Sequence, residues 1–184
     1  MMNSGEIDKL SYYINNAIYK IPQEAYDLHE QKWNGGKTWY SSRANIDSEY
    51  LEEIVCKDVP LCEAITERPD VFKADVRLEN YIIDFKEIPP SGWFNLDVRR
   101  ITKHLQSIQE GKLTHFLFFR SNWERDEKNW VFTIPVGSEL KFEFIGIAEA
   151  DKVIRSNHLM PYNENYRINM EKIEWLQRNQ STTP

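Results

Sequence analysis

Residues 71–87 have the sequence VFKADVRLENYIIDFKE, which predicts two short β-strands joined by a tight turn. Apolar and charged side chains alternate along both halves, and a period of two is typical of strands with one buried face. A two-residue loop at positions 79–80 pairs Leu78 with Tyr81. This predicted hairpin is the segment around which the other elements are arranged.

The charged face of the hairpin brings like charges together. Counting back from the turn places Asp75 directly across from Asp84, and it places Lys73 across from Lys86. Directly opposed residues have Cβ atoms ~5 Å apart, and like charges there destabilise a sheet by up to roughly 1 kcal/mol. A divalent cation between the two aspartates would remove the repulsion, since carboxylate oxygens are preferred ligands of such ions. The pattern therefore indicates a metal site, although a solvated strand face with alternating charges would have the same sequence.

This arrangement resembles the PD-(D/E)xK nuclease superfamily, which has the restriction-endonuclease-like fold. In that family an Asp on one strand and an acidic-x-Lys triplet on the next form the catalytic core. Asp75 matches the first acid, and Asp84, Phe85 and Lys86 match the triplet. A literal Pro-Asp occurs at positions 69–70, but only Asp75 fits the opposed register. The resemblance covers roughly residues 46–120 by its pattern of elements.

The resemblance implies a metal-dependent endonuclease that hydrolyses phosphodiester bonds in nucleic acid, with DNA favoured over RNA. It implies that Asp75, Asp84 and the carbonyl group of Phe85 hold Mg²⁺ or Mn²⁺. Lys86 is then expected to orient or deprotonate the attacking water, or to stabilise the phosphate. The resemblance leaves open the sequence preference of the enzyme and its biological role.

Members of the superfamily often carry a further acidic residue on the helix before the sheet. A helix is predicted from Asp47 or Ser48 to about position 57. Glu52 and Glu53 flank its apolar stripe on the two sides, so either could complete the metal site. Ordinary exposed glutamates would give the same pattern.

The surrounding elements predict a single α/β (α+β) domain over residues 1–184. Its core has the order helix, three strands, helix, strand, and the last two elements are a helix at 97–110 and a strand at 114–120. Helices are expected at 6–33, within a helical extension that covers residues 1–45. Further strands and a closing amphipathic helix are expected within 121–180, and the helix is marked by Tyr166, Met170, Ile173 and Leu176. That helix could pack on the domain itself or on a second copy, which would make a homodimer.

Two segments are candidates for contact with nucleic acid. Lys37, Trp39 and Arg43 interleave cations with aromatic rings in a predicted loop, as in clamps that bind phosphates and bases. Arg100 and Lys103 lie off the apolar stripe of the helix at 97–110, where the family often contacts substrate. A surface loop anchored by tryptophans and a solvated helix face are the alternatives. His104 is expected at the surface of the same helix.

Composition restricts the class of protein. The formal net charge is −6, which counts against nucleic-acid binding, because proteins that hold phosphates usually have a basic face. A non-catalytic protein-interaction module with the same or another α/β fold, whose acidic face binds a partner, is therefore a second interpretation. The two cysteines, Cys56 and Cys62, have neither zinc-site nor disulfide-framework spacing. Neither a signal peptide nor a membrane-spanning run is visible, so a cytoplasmic protein without membrane contact is expected.

Overall fold

Helices cover both faces of a central mixed β-sheet in the computed structural model. The model describes residues 4–20, 51–65, 74–88, 93–122, 124–126, 131–133, 139–155, 159–162 and 165–179. Within those ranges, seven strands form the main sheet. Their order is β1 (Ile18–Lys20), β9 (Glu139–Glu149), β6 (His115–Ser121), β4 (Tyr81–Glu87), β3 (Val76–Leu78) and β2 (Cys62–Ala64), with β12 (Gln177–Arg178) also paired to β9. The chain is thus of the mixed α and β class that the sequence predicts.

The N-terminal segment is less helical than its periodicity predicts. Helix α1 (Ser4–Asn16) buries Ile7, Leu10 and Ile14, but it is followed by the short strand β1 (Ile18–Lys20), so the first of the helices predicted within 6–33 ends at Asn16. The strand forms because β1 pairs antiparallel with the edge of β9 (Glu139–Glu149). The predicted second helix of the N-terminal extension lies outside the described residues.

The next described elements are helix α2 (residues 51–58) and three antiparallel strands. These strands are β2 (Cys62–Ala64), β3 (Val76–Leu78) and β4 (Tyr81–Glu87). Leu78 pairs with Tyr81 across a two-residue turn, which confirms the predicted register. The turn forces φ of Glu79 to +52°. The first of the three predicted strands, β2, begins at Cys62, because residues 59–61 still form the turn after α2.

The thiols of Cys56 and Cys62 connect α2 to the first of these strands. Their Sγ atoms lie 3.7 Å apart, and both cysteines are free. Burial raises the pKa of the Cys62 thiol, and the neighbouring Cys56 raises it further. The two groups therefore pack as neutral thiols at the start of the sheet.

A crossover connection places β6 (His115–Ser121) parallel to β4. The connection contains β5 (Trp93–Asp97), which belongs to another sheet, and helix α3 (Val98–Gln109). Helix α3 ends in a Schellman motif, since Lys112 N donates to Ser107 O (2.7 Å) and Gly111 N donates to Ile108 O (3.1 Å). Gly111 has φ +69°, a conformation that favours glycine.

Two hydrophobic cores lie on opposite faces of the sheet. The first contains α1, α2 and inward residues such as Ile83 and Phe85. The second contains α3, α4 (Ala150–Arg155) and the opposite face, with Ile82, Phe116 and Phe118. Because successive strand residues point to opposite faces, Asp84 and Lys86 point into the α3 layer. That parity determines where the candidate site lies.

The C-terminal region corrects one prediction. The closing helix marked by Tyr166, Met170, Ile173 and Leu176 is wrong. The segment instead contains β10 (Leu159–Tyr162), β11 (Asn165–Asn169), a 3₁₀ turn (Met170–Lys172) and β12 (Gln177–Arg178). β11 lies between β10 and β5 in a small three-stranded sheet. The apolar residues at 166, 168 and 170 also fit a period of two, and pairing with β5 selects the strand.

Strands β7 (Glu124–Asp126) and β8 (Val131–Thr133) pair antiparallel in a separate two-stranded sheet. β9 leads directly into α4. No helix in the described part of the chain is long and apolar enough to cross a membrane.

Candidate active site

Asp75 lies just before β3, where the regular strand pairing breaks. Its backbone N–H donates to the carbonyl oxygen of Ile83 at 2.9 Å. If the register of β3 and β4 continued, Asp75 would lie opposite Asp84, so this hydrogen bond is displaced by one residue. Its carboxylate takes the place of a backbone acceptor, because Phe85 N donates to Asp75 Oδ2 at 2.5 Å. A backbone irregularity at a sheet edge commonly redirects a side chain in this way. The carboxylate of Asp75 is thereby held against β4, beside Asp84.

Asp84 lies in the middle of β4 and is only 3% exposed. One of its oxygens, Oδ2, is contacted by both Lys86 Nζ and His104 Nε2, the latter at 3.2 Å. The ammonium group of Lys86 also packs over the ring of Phe116, 5.6 Å from its centroid. A buried carboxylate needs such partners, because burying an unpaired charge is costly.

His104 corrects a second expectation, because it is completely buried rather than exposed. Ile101, Leu105 and Ile108 pack on the second core, and position 104 completes the i, i+3, i+4, i+7 spacing of that helix face. The ring contacts Phe116, with 5.3 Å between centroids, and its Nδ1 lies 2.5 Å from Arg100 O. The same spacing would have identified His104 from the sequence as an inward-facing residue.

The two aspartates have opposite electrostatic behaviour. Burial raises the pKa of Asp75 well above its usual range, and the negative charge of Asp84 raises it further, against the lowering influence of Lys86 and the Phe85 N–H. Burial also acts to raise the pKa of Asp84, but Lys86 and His104 outweigh it and hold that pKa below its usual value. Asp84 is thus the more readily ionised of the two carboxyl groups. Asp75 has too little positive charge around it to offset its burial and the negative charge of Asp84.

The structure distinguishes between the two candidate glutamates on α2. Glu52 is partly buried and forms a side-chain hydrogen bond with Asp75 that contributes to the raised pKa of that aspartate. Glu53 is exposed, and its negative charge raises the pKa of Tyr19 instead. Glu52 therefore belongs to the same group of side chains as Asp75, Asp84 and Lys86, whereas Glu53 faces away from it.

The remaining predicted site residues are Phe85 on β4, two basic residues on α3 and three residues of the N-terminal extension. The N–H of Phe85 points toward Asp75, and its carbonyl points to the same side, because both groups of a strand residue share one edge. Arg100 is exposed and Lys103 is half-buried on α3, the helix that carries His104. Lys37, Trp39 and Arg43 lie outside the described residues.

The oxygens of this cluster suit a hard divalent cation. Among the described residues, no group of three or more His, Cys, Asp or Glu side chains is arranged to hold a metal ion. Mg²⁺, however, is usually held by one or two carboxylates, and it keeps several waters and substrate phosphates as its other ligands. Asp75 and Asp84 provide two carboxylates, and burial together with the negative charge of Asp84 raises the pKa of Asp75. The donor set therefore fits Mg²⁺ or Mn²⁺ bound open to substrate.

Comparisons with protein-family models and with curated proteins found no match to this chain.

Proposed function

We propose that this protein is a metal-dependent nuclease of the PD-(D/E)xK type. The observation that carries the proposal is the convergence of Asp75, Asp84 and Lys86. Two carboxylates from neighbouring strands lie beside a lysine whose Nζ contacts one of them. Perturbed carboxylates grouped with a cation are commoner at catalytic sites than on ordinary strand faces.

The topology around the cluster supports the same proposal. Helix α2, the antiparallel strands β2, β3 and β4, helix α3 and the parallel strand β6 follow each other in the order expected of a restriction-endonuclease-like core. β5 is an addition between β4 and α3. Asp84 lies on β4 and Asp75 lies just before β3, close to where the family has its catalytic residues. Fold likeness alone is weak support for function, so the proposal depends mainly on the side chains.

Each side chain has a distinct role in the proposed reaction. Asp75, Asp84 and the carbonyl group of Phe85 hold the cation, with Glu52 next to Asp75 as a supporting acid. When bound, Mg²⁺ supplies an activated water and positive charge at the scissile phosphate. Lys86 is mostly buried beside Asp84, so its ammonium group is positioned to orient that water or to donate to a phosphate oxygen.

DNA is the proposed substrate, and its phosphates need positive charge that the chain as a whole lacks. Arg100 and Lys103 provide such charge on α3, the helix next to the acidic cluster. Lys37 and Arg43, with Trp39 between them, would add a basic and aromatic clamp. A nuclease with net charge −6 must concentrate its basic residues on the side that binds DNA.

The test is incubation of the purified protein with plasmid, linear and single-stranded DNA and with RNA, in Mg²⁺, Mn²⁺ or EDTA. We expect cleavage of DNA that requires metal and disappears in Asp84→Asn. Calorimetric titration of Mg²⁺ and Mn²⁺ into the same two proteins separates metal binding from cleavage. A parent protein that binds no metal at millimolar concentration and cleaves no nucleic acid would favour the interaction module, whose acidic face binds a protein.

A further inference from the structure

Lys86 and His104 share a single oxygen of Asp84, and they differ in how firmly they are held. The side chain of Lys86 is 14% exposed, whereas that of His104 is 1% exposed. The imidazole is fixed at both nitrogens, since Nδ1 contacts Arg100 O and Nε2 contacts Asp84 Oδ2. Its ring also packs against Phe116. His104 ties Oδ2 of Asp84 to α3, whereas Lys86 reaches the same oxygen from β4, the strand that carries Asp84 itself.

The hydrogen bonds of His104 specify what the ring does. A carbonyl oxygen can only accept, so the proton of the contact with Arg100 O belongs to Nδ1. The other nitrogen, Nε2, lies within hydrogen-bond distance of Asp84 Oδ2. His104 therefore joins the backbone of α3 to the carboxyl group of Asp84 on β4.

From this geometry we infer that His104 is the positioning residue of the site: it holds Asp84 Oδ2 so that Oδ1 faces the metal while Lys86 serves the water and phosphate. The inference rests on the proposed function. No hydrogen bond or ion pair of the described residues reaches Oδ1 of Asp84. Partners of this kind orient the ligand they contact, and losing one typically costs 10- to 100-fold in metal affinity.

Two substitutions separate the two contacts of the ring. In His104→Gln, the longer amide places its nitrogen near the position of Nε2, so the contact with Asp84 is kept and that with Arg100 O is lost. In His104→Asn, the shorter amide reproduces Nδ1 and keeps only the contact with Arg100 O. Both variants are neutral and polar, so any effect of removing charge beside Asp84 is common to them and cancels in the comparison.

The experiment measures Mn²⁺ affinity by calorimetry and DNA cleavage for the parent and both variants, with thermal melting in EDTA as the check on folding. We expect His104→Gln to keep Mn²⁺ affinity within about threefold and His104→Asn to lose roughly 10-fold or more. Equal affinities in the two variants, or the reverse order, would overturn the positioning role. If the parent binds Mn²⁺ and only this pattern fails, the proposed function stands; a parent without binding ends both.

A second measurement covers the case in which the variants do not fold. Side-chain ¹⁵N NMR of the parent resolves His104 from His115, which is buried on the other face of the sheet against Tyr81. Addition of Mg²⁺ should shift the Nε2 resonance of His104 more than either ring resonance of His115. A His104 resonance that does not move at saturating Mg²⁺ would overturn the inference.

Discussion

The backbone N–H of Phe85 donates its hydrogen bond to the carboxylate of Asp75, at a position where the neighbouring strand has no regular backbone partner for it. The carboxylate of Asp75 thus supplies the hydrogen-bond acceptor that the sheet otherwise lacks at this point, beside Asp84. The carboxylate is consequently buried beside another negative charge and is held there by the fold.

Asp75→Asn should stabilise the metal-free protein at neutral pH. The raised pKa of Asp75 means that ionisation costs stability in the folded state, whereas Asn still accepts from Phe85 N and can donate to Glu52. Because the variant no longer carries this cost, we expect its Tm in EDTA to be higher than that of the parent.

The pH dependence of this gain has a definite sign. A carboxyl group whose folded pKa is raised loses stability as the pH rises through its unfolded pKa, near ~3.9, toward the folded value. The Tm difference between Asp75→Asn and the parent should therefore be small near pH 4 and grow up to neutral pH. Glu63→Gln, at an exposed position on β2, is the control. A difference that is constant with pH would contradict the electrostatic explanation.

Lys86→Ala should separate cleavage from metal binding. The lysine is not a metal ligand, and His104 still contacts Asp84, so Mn²⁺ affinity should be kept or should rise. Cleavage should fall by ~10² to 10⁴, the usual contribution of an electrostatic or acid-base group. Lys112→Ala, an exposed lysine paired with Glu110, should change neither quantity. Parent-like cleavage by Lys86→Ala would remove the lysine from the mechanism.

The double substitution Arg100→Ala and Lys103→Ala should weaken DNA binding and reduce its salt dependence. Each phosphate contact that is lost lowers the slope of log K against log salt by about 0.9 for duplex DNA. The matched control is Lys9→Ala with Lys20→Ala, on α1 and β1. Binding can be measured with the Asp84→Asn variant in Ca²⁺, at salt concentrations from roughly 50 to 200 mM. If both pairs reduce the slope equally, α3 has no special part in DNA binding.

Gly146→Ala should destabilise the domain. A Cβ atom there would lie 2.5 Å from the ring of Trp175 and 2.8 Å from Gln177 O, and the backbone oxygen cannot easily move. Overpacking of this kind typically costs 1–3 kcal/mol, which thermal or urea denaturation would detect. The effect should be present in EDTA and in Mg²⁺, because Trp175 packs on Phe118 and is no part of the acidic cluster.

The sequence was most informative where local spacing determines the structure. The turn at Glu79 fixes the register, so the pairing of Leu78 with Tyr81, and with it the approach of Asp75 to Asp84, could be predicted from chain order. The break in pairing at Asp75 could not, because it depends on which acceptor Phe85 finds in three dimensions. Helix α3 was predicted nearly to its ends, since its apolar stripe and Gly111 are local signals.

Tertiary pairing explains the two largest errors. Met170 and its neighbours fit a helix and a strand equally well, and only contact with β5 decides between them. The surface position expected for His104 followed from placing it off the apolar stripe of the helix, although its spacing from Ile101 and Leu105 points it inward. Its partner, Asp84, is 20 residues away in sequence, and no local pattern predicts that contact.

The division of the site between β4 and α3 has a consequence for the newly made chain. Asp84 meets its imidazole partner only when the helix docks on the sheet, so an incompletely packed chain contains the acids without the group that orients them. In the proposed nuclease, the tighter metal site would then form only after the second core has closed, and metal affinity would serve as a report of native packing.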